Sequence, residues 1–201
     1  MKIVFGNQKG GTGKSTLCIL LANYLSLSRQ EKVLVLDLDL QGTIADKRVK
    51  DSHVNETFPY PVLKMDISEY PSVSAKLPTD NTYILMDLPG NLENSDLKHI
   101  LADADYIICP FEYEFGSYVS TLDFRDLCHR VAPNKQINFI PNKVQASVKY
   151  ETKNVMHQEL SLSGDISEAM PNRVFFQRIT TFQANEEETK HARELFGFLH
   201  L

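Results

Sequence analysis

The chain has 201 residues, of which 42% are hydrophobic and 23% charged, with a formal net charge of −5. That length suits one domain, expected to span 1–201 and to bury a substantial core. The mildly negative balance excludes a strongly basic nucleic-acid binder, and no stretch of about 20 apolar residues is present to span a membrane.

Apolar runs alternate with helical patterns along the chain. The run Ile3-Val4-Phe5 predicts a first strand over about 2–5, and a helix follows a glycine-rich loop and runs to about Ser28. Val33-Leu34-Val35-Leu36 is fully apolar and flanked by charges, as a central parallel strand should be. Residues 60–65 read as a weaker strand at an edge, because Pro59 and Pro61 break it. Tyr83-Ile84-Leu85-Met86 is another buried strand. A helix over about 95–102 precedes a strand at Tyr106-Ile107-Ile108-Cys109. Residues 117–131 predict an amphipathic helix with Leu122, Leu127 and Val131 facing inward. A strand over 137–140 comes next, then helices over 147–160 and 185–199. The last opens on Glu186-Glu187-Glu188, which suits a helix N-terminus. The segment 161–177 carries no clear pattern. Together these elements predict an α/β, doubly wound, mostly parallel sheet with helices on both faces.

Chemistry gathers where strands end. Between the first strand and the first helix lies Lys9-Gly10-Gly11-Thr12-Gly13-Lys14-Ser15-Thr16. Glycines there let backbone N–H groups converge on an anion at a helix N-terminus, the arrangement that cradles nucleotide phosphates. Lys14 would reach the β- and γ-phosphates, and the Ser15 hydroxyl would ligate Mg²⁺. The general pattern G-x-x-x-x-G-K-[ST] has a glycine where this chain has Gln8, and Lys9 is an additional lysine. The second strand ends in Asp37-Leu38-Asp39-Leu40-Gln41-Gly42. The Tyr83 strand ends in Asp87-Leu88-Pro89-Gly90-Asn91, a carboxylate placed to hold Mg²⁺ through water. Phe111-Glu112-Tyr113-Glu114-Phe115 interleaves two acids with three aromatics past another strand. A loop over the nucleotide, a partner surface and a loop packed on the core all fit it. Cys18, Cys109 and Cys128 lie singly, without C-x-x-C spacing, and read as buried thiols of a reducing cytosol. The six histidines show no metal-ligand spacing.

The form K-G-G-T-G-K-S resembles the ParA/MinD family of ATPases, which position chromosomes, plasmids, division sites and other cargo. The resemblance implies ATP and Mg²⁺ as cofactors, and Gly10, Gly11, Thr12, Gly13, Lys14, Ser15 and Thr16 as phosphate-loop contacts. It implies that Lys9 reaches across a homodimer interface to the partner's phosphates. The segment 37–42 resembles the family's D-x-D-P-Q-G, with Leu40 in place of the proline. Carried over, Asp37 supports the metal and the loop, Asp39 positions or activates the hydrolytic water, and Asp87 holds Mg²⁺ with Ser15. Residues 88–94 would form a second switch. Asn142 would hydrogen-bond the adenine edge, since an amide donates and accepts at once; an ordinary turn fits it too. Met170-Pro171-Asn172-Arg173-Val174-Phe175 resembles a segment near the base pocket, which places Pro171 and Arg173 beside adenine. Arg173 fits a surface ion pair equally well.

The resemblance further implies weak ATPase activity stimulated by a ParB-like activator, an ATP-bound homodimer, and a cytoplasmic, nucleoid-associated protein. Nonspecific DNA binding would use Lys143, Lys149, Lys153, Arg173, Arg178, Lys190 and Arg193, in a stretch that carries eight acids to its eight bases from Val131 onward. The chain begins at the phosphate-loop strand, so no helix-turn-helix extension is expected. A MinD-like membrane-associated ATPase is an alternative, raised by the apolar tail 195–201. That tail lacks a lysine-rich polar face, so packing on the core is expected instead. A metabolic enzyme on the same fold is another alternative, although it would not need Lys9.

Overall fold

The computed structural model describes residues 1–78, 80–90 and 97–199. Seven strands form one sheet: β1 (Lys2–Phe5), β2 (Lys32–Asp37), β3 (Val62–Lys64), β4 (Thr82–Asp87), β5 (Tyr106–Phe111), β6 (Ile137–Pro141) and β7 (Gly164–Ile166). Their spatial order is β3-β2-β4-β1-β5-β6-β7, and every neighbouring pair is parallel. The long apolar runs hold the centre because both of their faces are covered. The three-residue strands β3 and β7 close the two edges, where few ladder bonds are required.

Helices follow the strands: α1 (Lys14–Asn23), α2 (Thr43–Asp51), α3 (Tyr70–Val73), α4 (Leu97–Asp103), α5 (Phe115–Val131), α6 (Lys153–Leu160), α7 (Val174–Gln177) and α8 (Glu186–Leu195). Alternation along each strand divides the core in two. Val4, Ile84 and Met86 face Leu97, Ile100, Phe124 and Met156 of α4, α5 and α6. Ile3, Phe5 and Leu85 face Leu17, Leu20 and Leu21 of α1, Phe176 of α7, and Ala192 and Leu195 of α8. Residues 196–199, the last ones described, join this second layer. Phe196 meets Phe5 edge-on, and Leu199 is buried. All three cysteines are buried and free, and burial pushes each thiol upward, Cys128 to about 12. Among the described residues, no helix is long and apolar enough to cross a membrane.

Several expectations need correction. The face of α5 that lies deepest is Ser117, Thr121, Phe124 and Cys128, while Leu122, Leu127 and Val131 pack only partly buried at its margin. The helix sits too close to β1 for a leucine stripe. A Cβ on Gly6 would fall 2.2 Å from the Phe124 ring. Thr121 is buried because its hydroxyl accepts from the Asn7 amide at 3.0 Å and donates to the Ser117 carbonyl at 2.6 Å. We expect Gly6→Ala to cost about 1–3 kcal/mol through overpacking against Phe124, read as a lower urea midpoint at unchanged slope. Unchanged stability would mean that α5 moves away freely.

The helix expected over 147–160 begins only at Lys153. Before it the chain turns alongside Pro171, where Val144 donates to the Met170 carbonyl and Asn172 donates back to Val144. The unassigned 161–177 supplies β7 and α7. The last helix ends at Leu195 and is followed by a single 3-10 turn, Gly197–Leu199. Its N-terminus is a reciprocal cap, in which Asn185 accepts from Glu188 N and Glu188 accepts from Asn185 N. The expected helix over 95–102 starts at Leu97 among the described residues.

Candidate functional site

Parallel strands bring their carboxyl ends to one rim of the sheet, and three of them meet there. The β2–β4 register sets Asp37 beside Asp87, and the β1–β4 register sets Phe5 beside the same Asp87. The glycine loop leaves β1 at this rim and turns into α1. Gly13 makes that entry with φ 99° and ψ 17°, a left-handed conformation that strongly favours glycine. A Cβ on Gly13 would lie 2.1 Å from the Asn142 amide nitrogen, so space forbids one as well.

A cavity of about 860 Å³ opens over the loop. Gly10, Gly11, Gly13, Lys14, Ser15 and Thr16 line one side; Asp39 and Lys143 are on its wall. Lys14 is buried and its amine donates to the Lys9 carbonyl at 3.2 Å. Burial lowers its pKa, with Asp87 and then Asp39 opposing. The loop is tied down from behind. Asn7 is wholly buried, accepts from the Lys9 N–H at 2.9 Å, and donates to the Pro110 carbonyl and to Thr121.

The three aspartates differ in what they hold. Asp37 accepts from the Ile44 and Ala45 N–H groups at 3.0 and 2.8 Å. It therefore closes the first turn of α2 and meets the positive end of its dipole. Burial still raises its pKa, against those backbone bonds. Asp39 is half-buried at the cavity and accepts only a local bond, from Gln41 N at 2.9 Å. Asp87 has no exposure. Ser15 donates its hydroxyl hydrogen to Oδ2 at 2.6 Å, and Oδ1 is buried with no partner among the described residues. Burial pushes its pKa up to about 7, with Ser15 opposing and the neighbouring Asp37 adding to it.

An orphaned carboxylate oxygen next to a serine hydroxyl fits a hard divalent cation. Among the described residues, no three His, Cys, Asp or Glu side chains converge as a cage. A Mg²⁺ at Ser15 and Asp87 would complete its shell with water and phosphate oxygens, the pattern this small cation prefers.

The remaining candidates divide. Asn142 lies over the loop, donating to the Thr12 carbonyl at 2.7 Å and accepting from Lys143 N at 2.9 Å. Pro171 runs on the adjacent segment, bridged to Val144. Arg173 stands further out, on a separate cavity of about 770 Å³ that it shares with Arg178 and His191. Leu40, at the position of the family proline, is 72% exposed. Leu88 is buried and donates to the Phe5 carbonyl, and Gly90 lies against Gly10; residues 91–94 of the expected second switch lie outside the described residues.

Two lysines make contacts that the sequence alone does not indicate. The Lys9 amine pairs with Glu114, and the Lys143 amine pairs with Glu112 while also donating to the Gly11 carbonyl. Lys143 entered the sequence reading only as a DNA candidate. The available signal was the alternation of acids with aromatics in Phe111-Glu112-Tyr113-Glu114, just past the end of β5.

A model of the CobQ/CobB/MinD/ParA nucleotide-binding domain matches residues 3–184. An uncharacterized protein of Borreliella burgdorferi is 26% identical over 189 residues, covering 79% of this chain and 72% of that protein. A candidate plasmid partition protein of Borrelia burgdorferi, solved with AMPPNP, superposes with a TM-score of 0.77 at 21% identity and covers 100% of this chain and 98% of its own. MinD of Aquifex aeolicus in its complex with MinC gives 0.75 at 17% identity, covering 99% and 95%. These similarities to solved structures establish the fold, and the match over residues 3–184 establishes the family. The chain belongs to the CobQ/CobB/MinD/ParA nucleotide-binding domain family.

Proposed function

We propose that this protein is an ATP-dependent dimerisation switch with weak, partner-stimulated ATPase activity, built on one domain and used to position DNA or another cargo. Lys14 and the loop glycines bind the phosphates. Ser15 and Asp87 hold Mg²⁺, whose charge offsets that of the phosphates. Asp37 fixes the loop that carries Asp39, and Asp39 orients the attacking water. Asn142 and Pro171 lie on the side of the loop where adenine would sit, with Arg173 beyond them.

The observation that carries the reading is the direction of Lys9. Its backbone belongs to the phosphate loop, yet its side chain does not line the cavity. The amine is turned to the outer rim, partly exposed, against Glu114. A lysine placed there is better situated for a neighbouring subunit's phosphates than for its own. Loss of the γ-phosphate would then remove the charge that holds two subunits together.

Lys9→Ala tests this directly. We expect nucleotide affinity within about 3-fold of wild type and loss of at least about 10-fold in stimulated turnover, since a cross-subunit cation acts on transition-state charge. Titration with a fluorescent ATP analogue and a coupled phosphate assay read the two effects. Normal turnover in Lys9→Ala would remove the cross-subunit mechanism. For DNA as cargo, the exposed Lys149, Arg173, Arg178 and Arg193 supply the charge, and binding should weaken steeply with salt.

A further inference from the structure

The stretch 111–115 has no role in the site as described so far. Phe111 ends β5 in the core, and Tyr113 packs edge-on against it at 5.5 Å. The Tyr113 ring also meets Tyr150, and its hydroxyl lies 2.6 Å from His157 Nε2. With both aromatics fixed inward, a tight turn at Tyr113, closed by the Glu114 N–H donating to the Glu112 carbonyl at 2.8 Å, leaves both acids beside lysines of the phosphate-loop rim. The Ser117 hydroxyl accepts from the Glu112 N–H at 2.9 Å.

Each acid meets one lysine. Glu112 takes the Lys143 amine at 2.8 Å, and Glu114 takes the Lys9 amine. Two local features show the chain arranged around these pairs. Glu114 occupies the residue before α5, and among the described residues its carboxylate makes no cap bond to the helix and is left to the Lys9 amine. Lys143 has φ 56°, the left-handed region that a lysine seldom adopts, and that conformation puts its amine on the Gly11 carbonyl.

We propose that Lys143 is a third phosphate-facing lysine of this site, and that Glu112 and Glu114 are positioning residues that hold Lys143 and Lys9 back until phosphate oxygens displace them. The proposal rests on the nucleotide reading above. Both pairs are partly solvated, so each is weak enough for a polyanion to break. Moving Lys143 onto phosphate also frees the Gly11 carbonyl at the mouth of the loop. The empty subunit is thereby kept from presenting Lys9 to a second empty subunit.

The test uses the full chain with Glu112→Gln, Glu114→Gln, Lys143→Ala and the paired variants. At protein concentrations too low for dimers, the affinity for a fluorescent ATP analogue should rise about 2–5-fold in Glu112→Gln, the scale of a partly exposed ion pair. It should fall several-fold in Lys143→Ala. In Glu114→Gln, the ATP concentration that half-saturates dimer formation should drop about 2–5-fold. The decisive arm is the paired variant. If the acids act through the lysines, the gain disappears when Glu112→Gln is placed on Lys143→Ala, and when Glu114→Gln is placed on Lys9→Ala. If the gain persists there, the acids merely repel phosphate and the proposal is overturned. It is overturned equally if Glu112→Gln binds nucleotide no better than wild type. The affinity arm is read on monomers, so absence of any ATP-dependent dimer in wild type would remove the dimer switch while leaving this arm to judge Glu112 and Lys143.

Discussion

Asp87→Asn is expected to raise the stability of the nucleotide-free, metal-free protein at pH 8 by about 2–4 kcal/mol, or roughly 5–10 °C in melting temperature. The carboxylate is wholly buried, flanked by Asp37, and has one oxygen without a partner among the described residues. Its ordinary pKa of 3.8 is pushed up to about 7 in the folded state, chiefly by burial. Between those two values the folded protein holds a proton that the unfolded chain releases. Stability contributed by this group is therefore present below about pH 4 and declines as pH rises toward 7, where ionisation in place must be tolerated. Asparagine removes the ionisation and retains an acceptor for the Ser15 hydroxyl. Its N–H₂ falls where Oδ1 now lacks a partner, which offsets part of the gain. Melts in EDTA from pH 5 to 9 should show the variant's advantage growing up to about pH 7 and levelling off above it. A variant that melts below wild type at pH 8 would mean that the buried charge is already compensated. Added Mg²⁺ with ATP should reverse the order, because only the wild type has a carboxylate for the metal side of the site. The strain of the empty site is then the driving force for filling it.

Which strands lie at the centre, and that β3 lies at an edge, follows from features a single sequence displays. Val33–Leu36 and Tyr83–Met86 are apolar on both faces, so they had to be central. The prolines near Tyr60 placed β3 at an edge. The glycine loop, Asp37, Asp39 and Asp87 were legible because strand ends in a parallel sheet share one rim. What escaped has a common physical cause: it depends on distance between segments remote in the chain. Nothing local says that Thr121 will be buried by Asn7, or that Phe124 will press on Gly6. The pairs Lys9–Glu114 and Lys143–Glu112 join residues 105 and 31 positions apart. The alternation at 111–115 was visible, but its acids gained meaning only when Tyr113 proved to be fixed in the core by Phe111, Tyr150 and His157. Residues 161–177 failed for another reason. A three-residue edge strand and a four-residue helix are too short for any period to emerge.

Asp39→Ala is expected to separate catalysis from everything else in the site. Two acids stand two residues apart at the end of β2, and the structure gives them unlike work. Asp37 is buried and bonded to three backbone N–H groups, two of them opening α2, so its loss should unfold that helix's start. Asp39 is half-buried on the cavity wall and bonded only to its own turn. Its removal takes nothing from the core. We expect Asp39→Ala to melt within about 2 °C of wild type and to bind ATP as tightly or more tightly, since one negative charge leaves the neighbourhood of the phosphates. Turnover should fall about 100-fold or more, the scale of a group that positions or deprotonates the attacking water. If dimerisation depends on the γ-phosphate, the variant should accumulate as an ATP-bound dimer that persists over hours in light scattering. Turnover above half of wild type would assign the water to another group, and Glu112 or a residue of the partner subunit would then have to be sought. Loss of ATP binding with a native melting curve would instead place Asp39 among the nucleotide's ground-state contacts. The contrast with Asp37→Ala makes the outcome interpretable, because only one of the two changes should register in the fold.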